Sequence, residues 1–132
     1  MNLKPRADEI RKPRLLLVED DQETTKTLRG LLSLSNYEID TAEDGRKAVE
    51  MWEGGKYDLI LMDVQMAAMN GFEATAAIRE KERTCGGHTP IIAMTALHKF
   101  FSADMDAYIS KPIDFKECLK LVEETILRSR TK

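Results

Sequence analysis

Apolar residues fall along this chain in two rhythms. Leu15-Leu16-Leu17-Val18, Asp58 to Val64 (DLILMDV) and Ile91-Ile92-Ala93-Met94 are short continuous runs, as expected of strands buried on both faces. Tyr37 to Ala42 and Ala107 to Ser110 are weaker runs and belong nearer the edges of a sheet. Between them the spacing becomes helical: 22–35 with Leu28, Leu31 and Leu32 on one stripe, 44–53 with Ala48, Val49 and Trp52, 71–83 with Phe72, Ala76 and Ile78. A last helix, 114–129, carries Leu119, Val122 and Ile126, with Asp114 as its N-cap. Five strands alternating with helices predict an α/β fold, a parallel sheet covered on both sides. Met62, Met66, Met69, Met94 and Met105 are read as packing residues.

The ends of those runs carry the candidate chemistry. Glu19-Asp20 closes the first, Asp63 sits near the end of another, and Thr95 and Lys111 end two later ones, so in a parallel sheet all five emerge at the carboxyl edge, where open α/β folds bind ligands. A lone acid pair after a strand is usually a solvated loop or a helix cap; the ordered combination points instead to one site. Three carboxylates brought together repel, and a hard divalent ion relieves that cost. Mg²⁺, with its oxygen ligands and retained water, fits better than zinc. Asp63 is then the expected phosphoryl acceptor, Thr95 a hydroxyl donor to a phosphoryl oxygen, and Lys111 a charge that pairs first with Asp63 and later with phosphate. Small Ala96 beside Thr95 leaves space for the incoming group.

Composition narrows the alternatives. With 132 residues, 42% hydrophobic and 33% charged, the chain is expected to form one domain, without membrane insertion. A net charge of −3 argues against direct nucleic-acid binding, although Lys4, Arg6, Arg11, Lys12 and Arg14 make the start of the chain locally basic. Residues 1–13, broken by Pro5 and Pro13, read as a flexible tail or linker, and 130–132 as a second tail. Cys85 and Cys118 lack metal or redox spacing, so ordinary thiols in a cytoplasmic setting are expected. His88 and His98 are assigned to loops without a catalytic role.

The segments LLLVEDDQ, DLILMDVQMAAMNGFEA, PIIAMTA and YISKPID resemble response-regulator receiver domains, especially the receiver modules of hybrid sensor histidine kinases, over roughly residues 14–129. The resemblance implies a flavodoxin-like, doubly wound, five-stranded sheet in the order 2-1-3-4-5. It implies that Asp63 accepts phosphoryl from the phosphohistidine of a histidine kinase or histidine phosphotransfer domain, that Glu19, Asp20 and Asp63 surround Mg²⁺, and that the Gln65 carbonyl adds a ligand. Thr95 and Tyr108 match the family's switch pair, and the Lys111-Pro112 bond is expected to be cis. Such a domain is no enzyme in its own right but a phosphoacceptor in two-component or phosphorelay signalling that assists its own phosphorylation and dephosphorylation. Gln65 and Leu97 occupy positions that tune hydrolysis in that family.

Two departures stand out. Ala67-Ala68 replaces the proline common after the MDVQM segment, which frees a φ angle and implies a more mobile loop. Thr95 and Lys111 are 16 positions apart, about six fewer than the family pattern and over one and a half helical turns. The fourth helix must be short or missing, and Phe100 and Phe101 have less structure to cover them. A short hinge invites a domain-swapped dimer that exchanges the fifth strand and last helix. Rival readings belong to other classes: an aspartyl-nucleophile phosphatase wants a second acid where Gln65 stands, and a phosphorylation-silent receiver-like interaction module would follow if the short crossover disabled the site.

Overall fold

The computed structural model describes residues 12–66, 69–96 and 102–130. Along them run β1 (Arg14–Val18), α1 (Gln22–Leu34), β2 (Glu38–Ala42), α2 (Gly45–Gly54), β3 (Leu59–Asp63), α3 (Gly71–Cys85), β4 (Ile91–Thr95), β5 (Ala107–Ser110) and α4 (Phe115–Arg130). All five strands are parallel, in the flavodoxin-like order β2-β1-β3-β4-β5. Among the described residues no helix lies between β4 and β5, in keeping with the shortened spacing. The expectations placed on residues 1–11, Ala67-Ala68, Leu97, His98, Phe100, Phe101 and 131–132 lie outside the described residues.

The strands follow their apolar runs. β3 and β4 are buried throughout and β1 is buried after Arg14, whereas the edge strands β2 and β5 have mixed burial. Alternate side chains feed two cores. Leu15, Leu17, Leu61 and Ile92 meet α1 and α4 through Leu28, Leu32, Val122 and Ile126, while Leu16, Ile60, Met62 and Ala93 meet α2 and α3 through Ala48, Val49, Ala74 and Ile78. Full burial of a Leu or Ile stabilises by about 1.5–3 kcal/mol, so these two layers dominate the favourable side of folding.

Helix starts are set by short polar side chains. Asp21 and Asp44 accept from the amides of Thr24 and Lys47, Asn70 forms a capping box with Glu73, and Asp114 Oδ1 accepts from Glu117 N at 3.2 Å. Glycine is required where α3 begins: a Cβ on Gly71 would lie 2.5 Å from the Asp63 carbonyl oxygen. The first turn of α3 is therefore seated directly on the backbone of the candidate acceptor.

The stripe expected on α3 needs correction. Ala76 is exposed, and the buried face runs through Gly71, Ala74, Thr75, Ile78, Arg79 and Glu82. Arg79 and Glu82 are satisfied by each other and by the segments leading into β4 and β5, whereas Thr75 Oγ1 is buried without a hydrogen-bond partner. Arg79 Nε donates to the Asp104 carbonyl at 2.8 Å, Nη1 to Glu82 Oε1 at 2.7 Å and to the Thr89 carbonyl at 2.9 Å, and Nη2 to Asp106 Oδ2 at 2.9 Å. Glu82 Oε2 accepts from Thr89 N at 2.7 Å, and Asp106 Oδ2 also accepts from Ile91 N at 2.8 Å. His88 Nε2 lies 2.7 Å from Asp106 Oδ1, at the exposed rim.

Candidate functional site

β1, β3, β4 and β5 end side by side, and their last residues or those just beyond make the site. Glu19 and Asp63 are buried at 3% and 1% exposure, so both carboxylates have lost nearly all contact with water. Together with exposed Asp20 they present carboxylate oxygens within 4.8 Å of one another. Lys111, which follows β5, reaches across the edge: its Nζ lies 3.1 Å from Asp63 Oδ1 and 3.2 Å from Glu19 Oε2. Among the described residues, one ammonium paired with two of three clustered carboxylates leaves an excess of negative charge.

Backbone donors orient the acids. Gln65 N donates to Asp63 Oδ1 at 3.0 Å, and Asp21 N to Glu19 Oε1 at 3.2 Å. Glu19 Oε2, by contrast, is buried without a well-directed hydrogen bond, and its contact is the ion pair with Lys111. Burial, then the neighbouring Asp63, pushes the Glu19 carboxyl up to about 7. Desolvation works to lower the Lys111 ammonium, but Asp63 and Glu19 outweigh it and hold its pKa above the ordinary value.

The other expected residues are placed as follows. Thr95 is buried at the end of β4, and its carbonyl accepts from Lys111 N at 2.9 Å. Tyr108 pairs with Ala93 in the β4–β5 register, and its hydroxyl donates to the Ser102 carbonyl at 2.8 Å and accepts from the Ser102 amide. Gln65 is exposed and Ala96 is exposed beside Thr95. The Lys111-Pro112 peptide is cis. Next to the acids a groove of about 360 Å³ runs between α1 and the segment after β5, lined by Thr24, Thr27, Leu28, Leu31, Pro112 and Phe115. Residues that the sequence did not single out are Gly71, under the Asp63 backbone, and Arg79, Glu82 and Asp106 at the opposite end of the β4–β5 pair. A helical stripe counted with polar residues would have found Arg79 and Glu82; Asp106, just before β5, carries no such signal.

The family model of the response regulator receiver domain matches residues 15–123. The chain belongs to the response regulator receiver family. This receiver is 37% identical over 126 residues to hybrid signal transduction histidine kinase I of Dictyostelium discoideum, covering 87% of the chain and 7% of that protein. It is 35% identical over 122 residues to the regulatory protein VanRB of Enterococcus faecalis, covering 88% of the chain and 53% of that protein. It thus spans less than two thirds of the length of these relatives. Among solved structures, the response regulator TrrA of Thermotoga maritima in complex with Mg²⁺-BeF superposes with a TM-score of 0.77 at 32% identity, over 86% of this chain and 98% of that one. The receiver domain of Ssk1 of Saccharomyces cerevisiae, solved with the histidine phosphotransfer protein Ypd1, gives 0.79 at 26% identity, over 87% and 89%. This is a receiver domain of two-component or phosphorelay signalling, and among its described residues no helix is long and apolar enough to cross a membrane.

Proposed function

We propose that this receiver accepts a phosphoryl group from a phosphohistidine onto Asp63, with Mg²⁺ held by Glu19, Asp20, Asp63 and the Gln65 carbonyl. The observation that carries the reading is a buried Asp63 whose Oδ1 lies 3.1 Å from Lys111 Nζ inside a cluster of acids. The donor set fits the ion: all oxygens, three carboxylates among them, with Glu19 Oε2 buried without a directed hydrogen bond. Mg²⁺, when bound, supplies the positive charge that lets an anionic donor approach an anionic nucleophile.

A carboxylate oxygen of Asp63 attacks phosphorus as the phosphorus–nitrogen bond breaks. The electron pair of that bond returns to the ring nitrogen, and with the donor's other ring nitrogen already protonated the imidazole leaves neutral. Lys111 exchanges its partner, moving from the free carboxylate to a phosphoryl oxygen, and the Thr95 hydroxyl donates to another. Tyr108 responds as the second member of the switch pair, and the same site assists hydrolysis of the acyl phosphate. The donor is a histidine kinase or histidine phosphotransfer domain, as the relatives' architecture and the Ypd1–Ssk1 complex support, and the setting is cytoplasmic. The groove along α1 offers such a partner the apolar side chains of Leu28, Leu31 and Phe115 beside Lys111.

Intact mass after treatment with acetyl phosphate tests the reading. An Mg²⁺-dependent gain of one phosphoryl group is expected in the parent and none in Asp63→Asn. No gain in a folded protein that also fails to bind Mg²⁺ would favour the silent interaction module. The swapped dimer drawn from the short β4–β5 connection has its own test: a monomer by light scattering at high concentration counts against it.

A further inference from the structure

β5 is a weakly specified strand. It has four residues, lies at the sheet edge and buries only Ile109, so hydrophobic patterning does little to fix its register against β4. Yet the register decides the site, because the pairing of Thr95 with Ser110 and the bond from Lys111 N to the Thr95 carbonyl set where the Lys111 side chain leaves the sheet. A slip of one residue would turn it to the other face and away from Asp63.

The opposite end of the same strand pair is held on both sides of one residue. Asp106 donates its amide to the Ile91 carbonyl at 2.8 Å and accepts the Ile91 amide on Oδ2 at 2.8 Å. That Oδ2 is in turn fixed by Arg79 Nη2 at 2.9 Å, and Arg79 Nε holds the Asp104 carbonyl at 2.8 Å. Arg79 itself is 8% exposed and pinned by Glu82. It belongs to α3, whose first residue abuts the Asp63 backbone. One helix therefore touches the acceptor at its start and the register lock of β5 at its middle.

We propose that Arg79 is a positioning residue for the phosphoacceptor site: through Asp106 it sets the register of β5 and so delivers Lys111 to Asp63. The claim rests on the phosphoacceptor reading for its kinetic consequence, not for its structural one. Arg79 touches neither the carboxylates nor the incoming group and acts only through Lys111.

A double-mutant cycle on the 132-residue chain, with amide exchange as a second readout, tests it. Arg79→Met should slow Mg²⁺-dependent labelling by acetyl phosphate on the order of tenfold, and Lys111→Met by at least as much. In the Lys111→Met background, Arg79→Met should change the rate by less than about twofold, since a residue acting only through Lys111 has nothing left to position. Arg79→Lys, which keeps the charge and loses the planar fork, should fall between parent and Arg79→Met, and it carries the test if the methionine variant does not fold. Exchange should rise together at the Asp106 and Lys111 amides, the two ends of the β4–β5 ladder. Full additivity of the two losses would overturn the proposal, as would a protected Lys111 amide beside an exposed Asp106. If the parent takes no label, the phosphoacceptor reading falls with the kinetic claim, and the amide readout alone decides whether Arg79 sets the register.

Discussion

Two clusters of buried charge sit at opposite ends of the β4–β5 pair, and they are built to different rules. At the amino end Arg79 spends its donors on Glu82, Asp106 and two carbonyls, and both carboxylates find further backbone donors. At the carboxyl end the described residues set Glu19, Asp20 and Asp63 around one ammonium, that of Lys111, and Glu19 Oε2 lacks a directed partner. A cluster in which every charged atom finds a hydrogen-bond partner is complete as it stands, even with one guanidinium between two carboxylates. One with two carboxylates in excess of its ammonium and a buried oxygen left without a partner is less stable alone and gains by binding a cation. The first fits a holding role, the second a binding one.

The sharpest way to break this contrast is to unbalance the complete cluster. Arg79→Met leaves Glu82 and Asp106 without their shared countercharge, and a broken buried pair costs about 3–5 kcal/mol, a fall in Tm of roughly 10–20 °C. Thermal unfolding of the metal-free protein checks it. A loss under 1 kcal/mol would mean that water reaches these groups and that the cluster is not a buried one.

The next effect belongs to the incomplete cluster and follows pH. Glu19 has its carboxyl pushed up to about 7 in the fold, above the ordinary 4.5, so the folded protein binds that proton more tightly than the unfolded chain does. Its contribution is fully present below about pH 4.5 and is lost as pH rises through about 7, a change of about 3 kcal/mol. Urea melts of metal-free protein across that window should show the loss, and Glu19→Gln should flatten it. Added Mg²⁺ should restore stability most at the alkaline end, where the carboxylate is charged.

These two clusters were unequally legible in the sequence. Leu15 to Val18 and Ile91 to Met94 declare central strands because only a strand buried on both faces tolerates an unbroken apolar run, and the acids and the lysine at the ends of such runs follow from strand polarity. Tyr37 to Ala42 and Ala107 to Ser110 were correctly placed at the edges for the converse reason. The roles of Asp63, Thr95 and Lys111 were read from their strand-end positions and charge, whereas the Gln65 ligand, the Thr95–Tyr108 pair and the cis Lys111-Pro112 bond came from family resemblance. Arg79, Glu82 and Asp106 stayed hidden because a charged residue on a helix is assigned to solvent unless its partner is known, and here the partners are 3 and 27 positions away. The same bias put Ala76 on the buried stripe of α3 and left out Thr75.

A smaller effect of opposite sign separates the clusters further. Asp63→Asn removes one of the mutually repelling carboxylates while Glu19 still faces Lys111, so the metal-free protein should gain on the order of 1 kcal/mol at pH 7. The same neutralisation in the fully hydrogen-bonded cluster, Glu82→Gln, should cost about 1–3 kcal/mol, because Arg79 and the Thr89 amide lose a charged acceptor. Chemical denaturation of both variants in chelator reads the difference, and two losses of similar size would erase the distinction drawn between the clusters.

The smallest effect is expected at the rim. His88 is 52% exposed at its side chain, and its contact with Asp106 Oδ1 adds to a carboxylate whose other oxygen is already held by Arg79 and Ile91 N. Solvent-exposed pairs contribute little, so His88→Ala should cost under about 1 kcal/mol and leave the Lys111 amide protected. A cost near that of Arg79→Met would show that the imidazole, not the guanidinium, aims Asp106 at Ile91. The register of β5 would then depend on a group open to solvent, and the holding role assigned to the buried cluster would have to be redrawn around its exposed member.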